Sequence, residues 1–153
     1  MRLSARVDYA LRAVAELALA ATSPPRAVLT AEQVARSQGI PPKFLESIML
    51  QLRRAGVVQS QRGPDGGYWL ARPAEEINLA EIIRVIDGPL ANVRGHRPED
   101  LGYQGPAAAL QEVWIALRAS EREILESVSV ADVATGKLPD RVRDLTADPR
   151  AWS

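Results

Sequence analysis

The sequence predicts a mainly helical fold in which a helix-turn-helix runs into a two-stranded hairpin, followed by a helical region built on one long helix. Three observations carry that expectation. Residues 39–73, GIPPKFLESIMLQLRRAGVVQSQRGPDGGYWLARP, read as turn, apolar-periodic helix, short strand, glycine-rich tip and second strand. An amphipathic N-terminal helix and a capped second helix precede this stretch, and an apolar stripe at helical spacing follows well after it. The order is that of a recognition helix followed by a wing.

The first helix is expected from Ser4, a suitable N-cap, to about Ala21, because Val7, Leu11, Val14, Leu17 and Ala21 recur at steps of three and four. The run SPPRA, residues 23–27, breaks it. Thr30 and Gln33 form a capping-box pattern, with Leu29 and Val34 as a hydrophobic staple, so a short second helix begins there and ends near Gly39. Pro41 and Pro42 open the third helix, since first-turn amides have no intrahelical partner. Leu45, Ile48, Met49 and Leu52 mark its buried stripe and leave Lys43, Phe44, Glu46, Ser47 and Gln51 nearer the outside. Arg53 and Arg54 complement the helix dipole or reach phosphates, and both readings stand.

Val57–Ser60 and Tyr68–Ala71 are β-prone, and Pro64-Asp65-Gly66 between them is a strong turn signal. Alone this is an ordinary surface hairpin. Directly after a helix-turn-helix, a glycine-rich tip carrying Arg62 suits a narrow, electronegative minor groove. Beyond the hairpin, Asn78 and Glu81 resemble a capping box for a helix through about Asp87, which Gly88-Pro89 ends. Leu90 to Gln104 reads as a polar loop. From about Pro106, the residues Leu110, Val113, Trp114, Leu117, Ile124, Leu125 and Val128 define a long helix with heptad-like spacing, interrupted by Glu121. Such a stripe needs burial, either on the first helix or on a second copy of the chain. Residues 129–133 read as a short terminal helix and 136–153 as a frayed polar tail. The expected organisation is thus 1–75 for the DNA-reading unit, 76–135 for a helical dimerisation or sensing region, and 136–153 for the tail.

Composition narrows the function classes. The chain has 153 residues, 46% hydrophobic and 25% charged, with no cysteine and one histidine, His96. There is no apolar run of membrane-spanning length and no leader pattern, so a cytoplasmic protein without a membrane partner is expected. The missing cysteines exclude thiolate ligands, disulfides and cysteine nucleophiles. With no phosphate-cradling loop either, an enzyme is not expected. The zero net charge conceals ten Lys/Arg against five Asp/Glu over residues 1–72 and nine against fourteen over 73–153. The basic half holds the hairpin.

Four segments carry a resemblance: MRLSARVDYALRA at the start, GIPPKFLESIMLQLRRAGVV, RGPDGGYWLARP and EEINLAEIIRVIDGP. They are similar, from Met1 to about Ala134, to the bacterial winged-helix regulators of the Rrf2 family, which groups IscR, NsrR and CymR. The resemblance implies a homodimeric transcription factor, usually a repressor, whose two winged helices bind an inverted-repeat operator. It places the recognition helix on Pro41 to Arg54, with Lys43, Glu46 and Ser47 facing bases and Arg62 in the minor groove. A glutamate there can accept from a cytosine amine. Arg2, Ser4, Pro42, Phe44, Gln51, Arg53, Arg54, Gln61, Gly63 and Tyr68 complete the expected DNA-contacting set. Leu110, Val113, Trp114, Leu117, Ile124 and Leu125 are the expected dimer seam, with Trp114 as anchor.

The resemblance also defines a departure. Iron–sulfur members place three cysteines in or near the loop that here spans Gly88 to Pro106, and this chain has none, so no cluster, other metal or cofactor is expected. Asp8 stands where a nitric-oxide-sensing relative offers a carboxylate ligand, but an acid in a helix's opening turns is favourable in its own right, and His96 reads as a solvated loop residue. The segment EIIRVIDGPLANV is similar to CymR-type proteins, which implies control of sulfur or cysteine metabolism through a protein partner, cysteine synthase. A winged-helix protein-interaction module and a regulator sensing an unidentified small molecule are the alternatives.

Overall fold

The computed structural model describes residues 1–23 and 27–152, so the expected break at Pro24-Pro25-Arg26 falls outside the described residues, as does Ser153. The helices are α1 (Ala5–Ala20), α2 (Ala31–Gln38), α3 (Pro42–Arg54), α4 (Leu79–Asp87), α5 (Leu110–Ser127), α6 (Val130–Thr135) and α7 (Asp140–Ala147). The strands β1 (Val58–Gln61) and β2 (Gly67–Leu70) pair antiparallel between α3 and α4.

Local chemistry sets the helix ends. The Ser4 hydroxyl accepts from the Val7 amide at 3.1 Å and caps α1. Thr30 and Gln33 exchange the two bonds of a capping box, and Ser129 and Asp132 do the same before α6. Gly39 adopts φ 63°, the left-handed conformation that ends α2 and turns the chain into α3. Asn78 caps α4 by accepting from the Glu81 amide at 2.9 Å, but the expected box there is only half made. The Glu81 carboxylate pairs with Arg72 instead.

Each strand lies one residue from its expected position, a shift within the usual uncertainty of element ends. Val58 opposes Leu70 and Ser60 opposes Tyr68 on the core side, while Gln59 opposes Trp69 on the other. Leu29 adds a bridge that the sequence concealed: its N–H donates to the Tyr68 carbonyl at 3.1 Å, and the Tyr68 N–H donates back at 2.7 Å. This close approach explains the glycine pair. A Cβ at Gly67 would stand 2.6 Å from the Leu29 carbonyl oxygen, and one at Gly66 would stand 2.3 Å from that of Gln61. Those two glycines therefore serve the hairpin's own closure.

The principal core joins Val14 and Leu17 of α1, Val34 of α2, Leu45, Ile48, Met49 and Leu52 of α3, and Val58 of β1. Ile77, Ile82 and Val130 lie in the same cluster, so the expected boundary at residue 75 does not divide the core. A second cluster of Val7, Ala80, Ile83 and Leu90, with Leu125 packed against it, seats α5 on α4. The loop between them is more than a polar connector. Leu90, Pro98 and Leu101 are buried, and the Gln111 amide donates to the Leu101 carbonyl at 2.7 Å, fixing the loop to the first turn of α5.

The expected frayed tail is corrected. Residues 136–152 hold α7 and a 3-10 turn through Trp152, and Arg141 of α7 pairs with Glu123 of α5 at 3.2 Å. Half-buried Val142 and Leu145 at helical spacing account for the order. Glu121, the polar residue that interrupts the apolar spacing of α5, is the one buried residue of that helix.

Candidate nucleic-acid interface

The third helix presents two chemically distinct faces. Leu45, Ile48, Met49 and Leu52 are inaccessible, while Pro42, Lys43, Phe44, Glu46, Ser47, Arg53 and Arg54 are exposed. Thirteen residues give α3 a length of about 20 Å, enough to lie in a major groove. Phe44 is 51% exposed, yet its ring meets Tyr9 edge-on at 6.3 Å between centroids. Arg12 sits 5.0 Å over the Tyr9 ring, pairs with Asp8 at 2.9 Å and donates to the Gln38 carbonyl at 2.7 Å. Asp8 thus holds α1 to the end of α2 through Arg12.

Arg6 is the residue that sequence reasoning missed. From α1 its guanidinium donates to the Ser47 hydroxyl at 2.9 Å and to Gln51 Oε1 at 3.0 Å. Gln51 Nε2 in turn donates to the Val85 carbonyl of α4 at 2.7 Å. Gln51, expected to touch DNA, is half-buried with both ends of its amide engaged, and it joins α1, α3 and α4. Ser47 remains exposed and keeps its hydroxyl proton. No local pattern could reveal Arg6, because its partners lie 41 and 45 residues away.

At the wing, Gln61, Arg62 and Gly63 are exposed at the tip. Gly63 has φ 108° with open space around the position of a Cβ, so it is the tip glycine free to approach a ligand. Tyr68 is half-buried: its ring packs against the core and both its backbone groups bond Leu29. Ser4 is committed to its cap. Arg2 lines a cavity of about 240 Å³ with Asp87, Asn92 and Glu121, at the end of α4. Trp69, unmarked in the sequence, donates to Gln59 at 2.9 Å on the outer face of the hairpin.

This face carries four exposed cations. Among the described residues, Lys43, Arg53, Arg54 and Arg62 have no carboxylate partner, as is also true of Arg2, Arg6, Arg94, Arg97, Lys137 and Arg143, whereas Arg12, Arg36, Arg72, Arg84, Arg118, Arg122 and Arg141 are paired. Exposed cations free of carboxylates, Arg53 bonding only the Ser60 hydroxyl at 3.2 Å, stand beside the helix and hairpin as phosphate contact requires.

The geometry matches known proteins. The family model described as Rrf2, iron-dependent transcriptional regulator, covers residues 3–136. The chain belongs to the Rrf2 family. It is 50% identical over 151 residues to the "Putative HTH-type transcriptional regulator Rv1287" of Mycobacterium tuberculosis, spanning 99% of this chain and 92% of that one. The solved structure of CymR, the global cysteine regulator of B. subtilis, superposes with a TM-score of 0.74 at 30% identity, covering 90% of this chain and 98% of the other. IscR of T. potens gives a TM-score of 0.71 at 29% identity, covering 89% and 88%. As an Rrf2 member the chain is a DNA-binding transcriptional regulator with a winged helix-turn-helix, and no helix among the described residues is long and apolar enough to cross a membrane.

The family's iron does not fit this Rrf2 chain. It has no cysteine to hold a cluster, and no three His, Asp or Glu side chains among the described residues gather as metal ligands. Asp8 is engaged by Arg12, and His96 is an exposed loop residue.

The expected dimer seam is open in the single chain. Leu110, Val113 and Leu117 are 39%, 53% and 43% exposed, and Ile115, outside the expected seam, is 38% exposed. Trp114 is half-buried, its indole N–H donating to the Tyr103 hydroxyl at 3.0 Å, and Ile124 and Leu125 are half-buried.

Proposed function

We propose that the chain acts as a homodimeric, sequence-specific repressor in the cytoplasm, without an iron–sulfur cluster and without catalytic activity. Lys43, Glu46 and Ser47 face bases in the major groove, Arg62 enters the minor groove, Arg53 and Arg54 contact phosphates, and Arg6 sets the rotamers of the outer face of α3. The observation that carries this reading is the set of unpaired cations on α3 and the wing, in a chain whose other arginines mostly hold carboxylates.

The inside-out character of α5 supports the dimer. Its buried residue is a glutamate, while four large aliphatic side chains face outward. Two such helices crossing would bury both stripes, a self-complementary arrangement. Regulation of sulfur or cysteine metabolism, with cysteine synthase as a partner, is supported by the absence of cysteine and the likeness to CymR.

The test is sedimentation together with anisotropy titration on bound genomic fragments. The intact chain is expected to be a dimer that binds specific duplexes. Val113→Lys is expected to yield folded monomer with specific binding lost. A stable wild-type monomer, or specific binding unaffected by Val113→Lys, would overturn the dimeric reader.

A further inference from the structure

Four arginines converge on one cavity that the DNA-reading account leaves unused. Arg84 of α4, Arg97 of the following loop, and Arg118 and Arg122 of α5 line a space of about 520 Å³, floored by Gly88, Pro89 and Leu90. That volume lies in the range of small-molecule sites. The internal carboxylates do not match the charge. Glu99 pairs with Arg118, while a single carboxylate, Glu126, serves both Arg84 at 2.5 Å and Arg122 at 3.0 Å. Among the described residues Arg97 makes no ion pair. Four positive charges against two negative leave an excess of two around one opening.

Two glutamates hold three of these arginines in place, but like charges gathered this way still repel one another, and Arg97 adds a fourth with no carboxylate in ion-pair contact. A planar guanidinium is suited to grip oxyanions through paired N–H donors, and several can share one multiply charged group. We propose that this cavity binds a small metabolite with a dianionic oxyanion head, phosphate, sulfate or dicarboxylate, and that its occupancy changes DNA affinity. The second clause rests on the regulator reading; the first does not.

The route to DNA is short. Arg84 precedes Val85, whose carbonyl accepts from Gln51 of the recognition helix at 2.7 Å. Gln51 accepts from Arg6, which also holds Ser47. A ligand drawing Arg84 away from Glu126 acts on α4 one residue from the contact that orients α3.

The test uses the full chain in two arms. Calorimetric titration without DNA, at constant ionic strength set by chloride, uses inorganic phosphate, sulfate and succinate as probes. At least one is expected to bind saturably, one per chain, with affinity reduced roughly tenfold or more in Arg97→Ala and Arg122→Ala and unchanged in Arg62→Ala. The probe preferred distinguishes a phosphate, sulfate or carboxylate head. No saturable binding of any probe, or equal affinity in Arg97→Ala, would overturn the site. In the second arm, DNA affinity with the binding probe present is expected to change at least threefold in the wild type and not in Gln51→Leu. Unchanged affinity in the wild type would overturn the coupling alone, and failure to bind DNA at all would strike the regulator reading while leaving the first arm intact.

Discussion

Replacing Arg54 by alanine should flatten the salt dependence of DNA binding by a calculable amount. Lys43, Arg53, Arg54 and Arg62 are exposed and carry no carboxylate partner among the described residues, so the proposed dimer offers eight exposed cations to the duplex. Counting about 0.9 released counterions for each of these cations, whether it lies at a phosphate or in a groove, the slope of log K against log salt should lie near −7. Arg54→Ala removes two contacts per dimer, moving the slope to roughly −5 and weakening binding on the order of fiftyfold at 0.1 M salt. Fluorescence anisotropy on a bound genomic fragment from 50 to 300 mM salt reads both quantities. Arg141→Ala is the control, because Arg141 lies on α7 and pairs with Glu123. A wild-type slope in Arg54→Ala, or an equal change in Arg141→Ala, would refute the assignment of phosphate contact to this face.

Other consequences concern stability. Glu121 is 8% exposed with neither carboxylate oxygen hydrogen-bonded, so Glu121→Leu should raise unfolding free energy by about 1–3 kcal/mol in urea titration; a loss would mean that a second copy supplies its donor. Gly67→Ala places a Cβ 2.6 Å from the Leu29 carbonyl oxygen and should destabilise by about 1–3 kcal/mol, with an unchanged urea midpoint counting against the Leu29 bridge. Hydrogen bonds from Arg84 and Arg122 hold the Glu126 carboxyl below its usual value. The resulting stability is present above the unfolded carboxylate pKa near 4.3 and is lost as pH falls through the lower folded value. The melting temperature of Glu126→Gln should accordingly lie below wild type at pH 7 and converge on it toward pH 3; a gap that widens in acid would contradict the pairing.

What the sequence disclosed was local. Ser4, and Thr30 with Gln33, act within three residues, and each appears in the structure as a cap. The buried stripe of α3 was readable because helical periodicity is itself a local signal. What stayed hidden depends on partners far along the chain. The Leu29–Tyr68 bridge, the Arg6–Ser47–Gln51 contacts and the Arg72 claim on Glu81 are of this kind. They also give Tyr68 and Gln51 packing and positioning contacts that the sequence did not show. The stripe on α5 was visible, but periodicity gives a helix's faces without saying which one its own chain covers, and here Glu121 faces inward. The helix at residues 140–147 was missed because its polar composition outweighed two cues, Pro139 ahead of it and the Val142/Leu145 spacing.

Hydroxyl-radical footprinting of the intact chain on a selected genomic fragment tests the central claim most directly. Two protected patches related by a dyad, their centres about 34–36 Å or a multiple apart, are predicted, with minor-groove protection lost in Arg62→Ala while the flanking protection persists. A single unpaired patch, or a footprint identical in Arg62→Ala, would contradict a two-armed reader built on α3 and the wing.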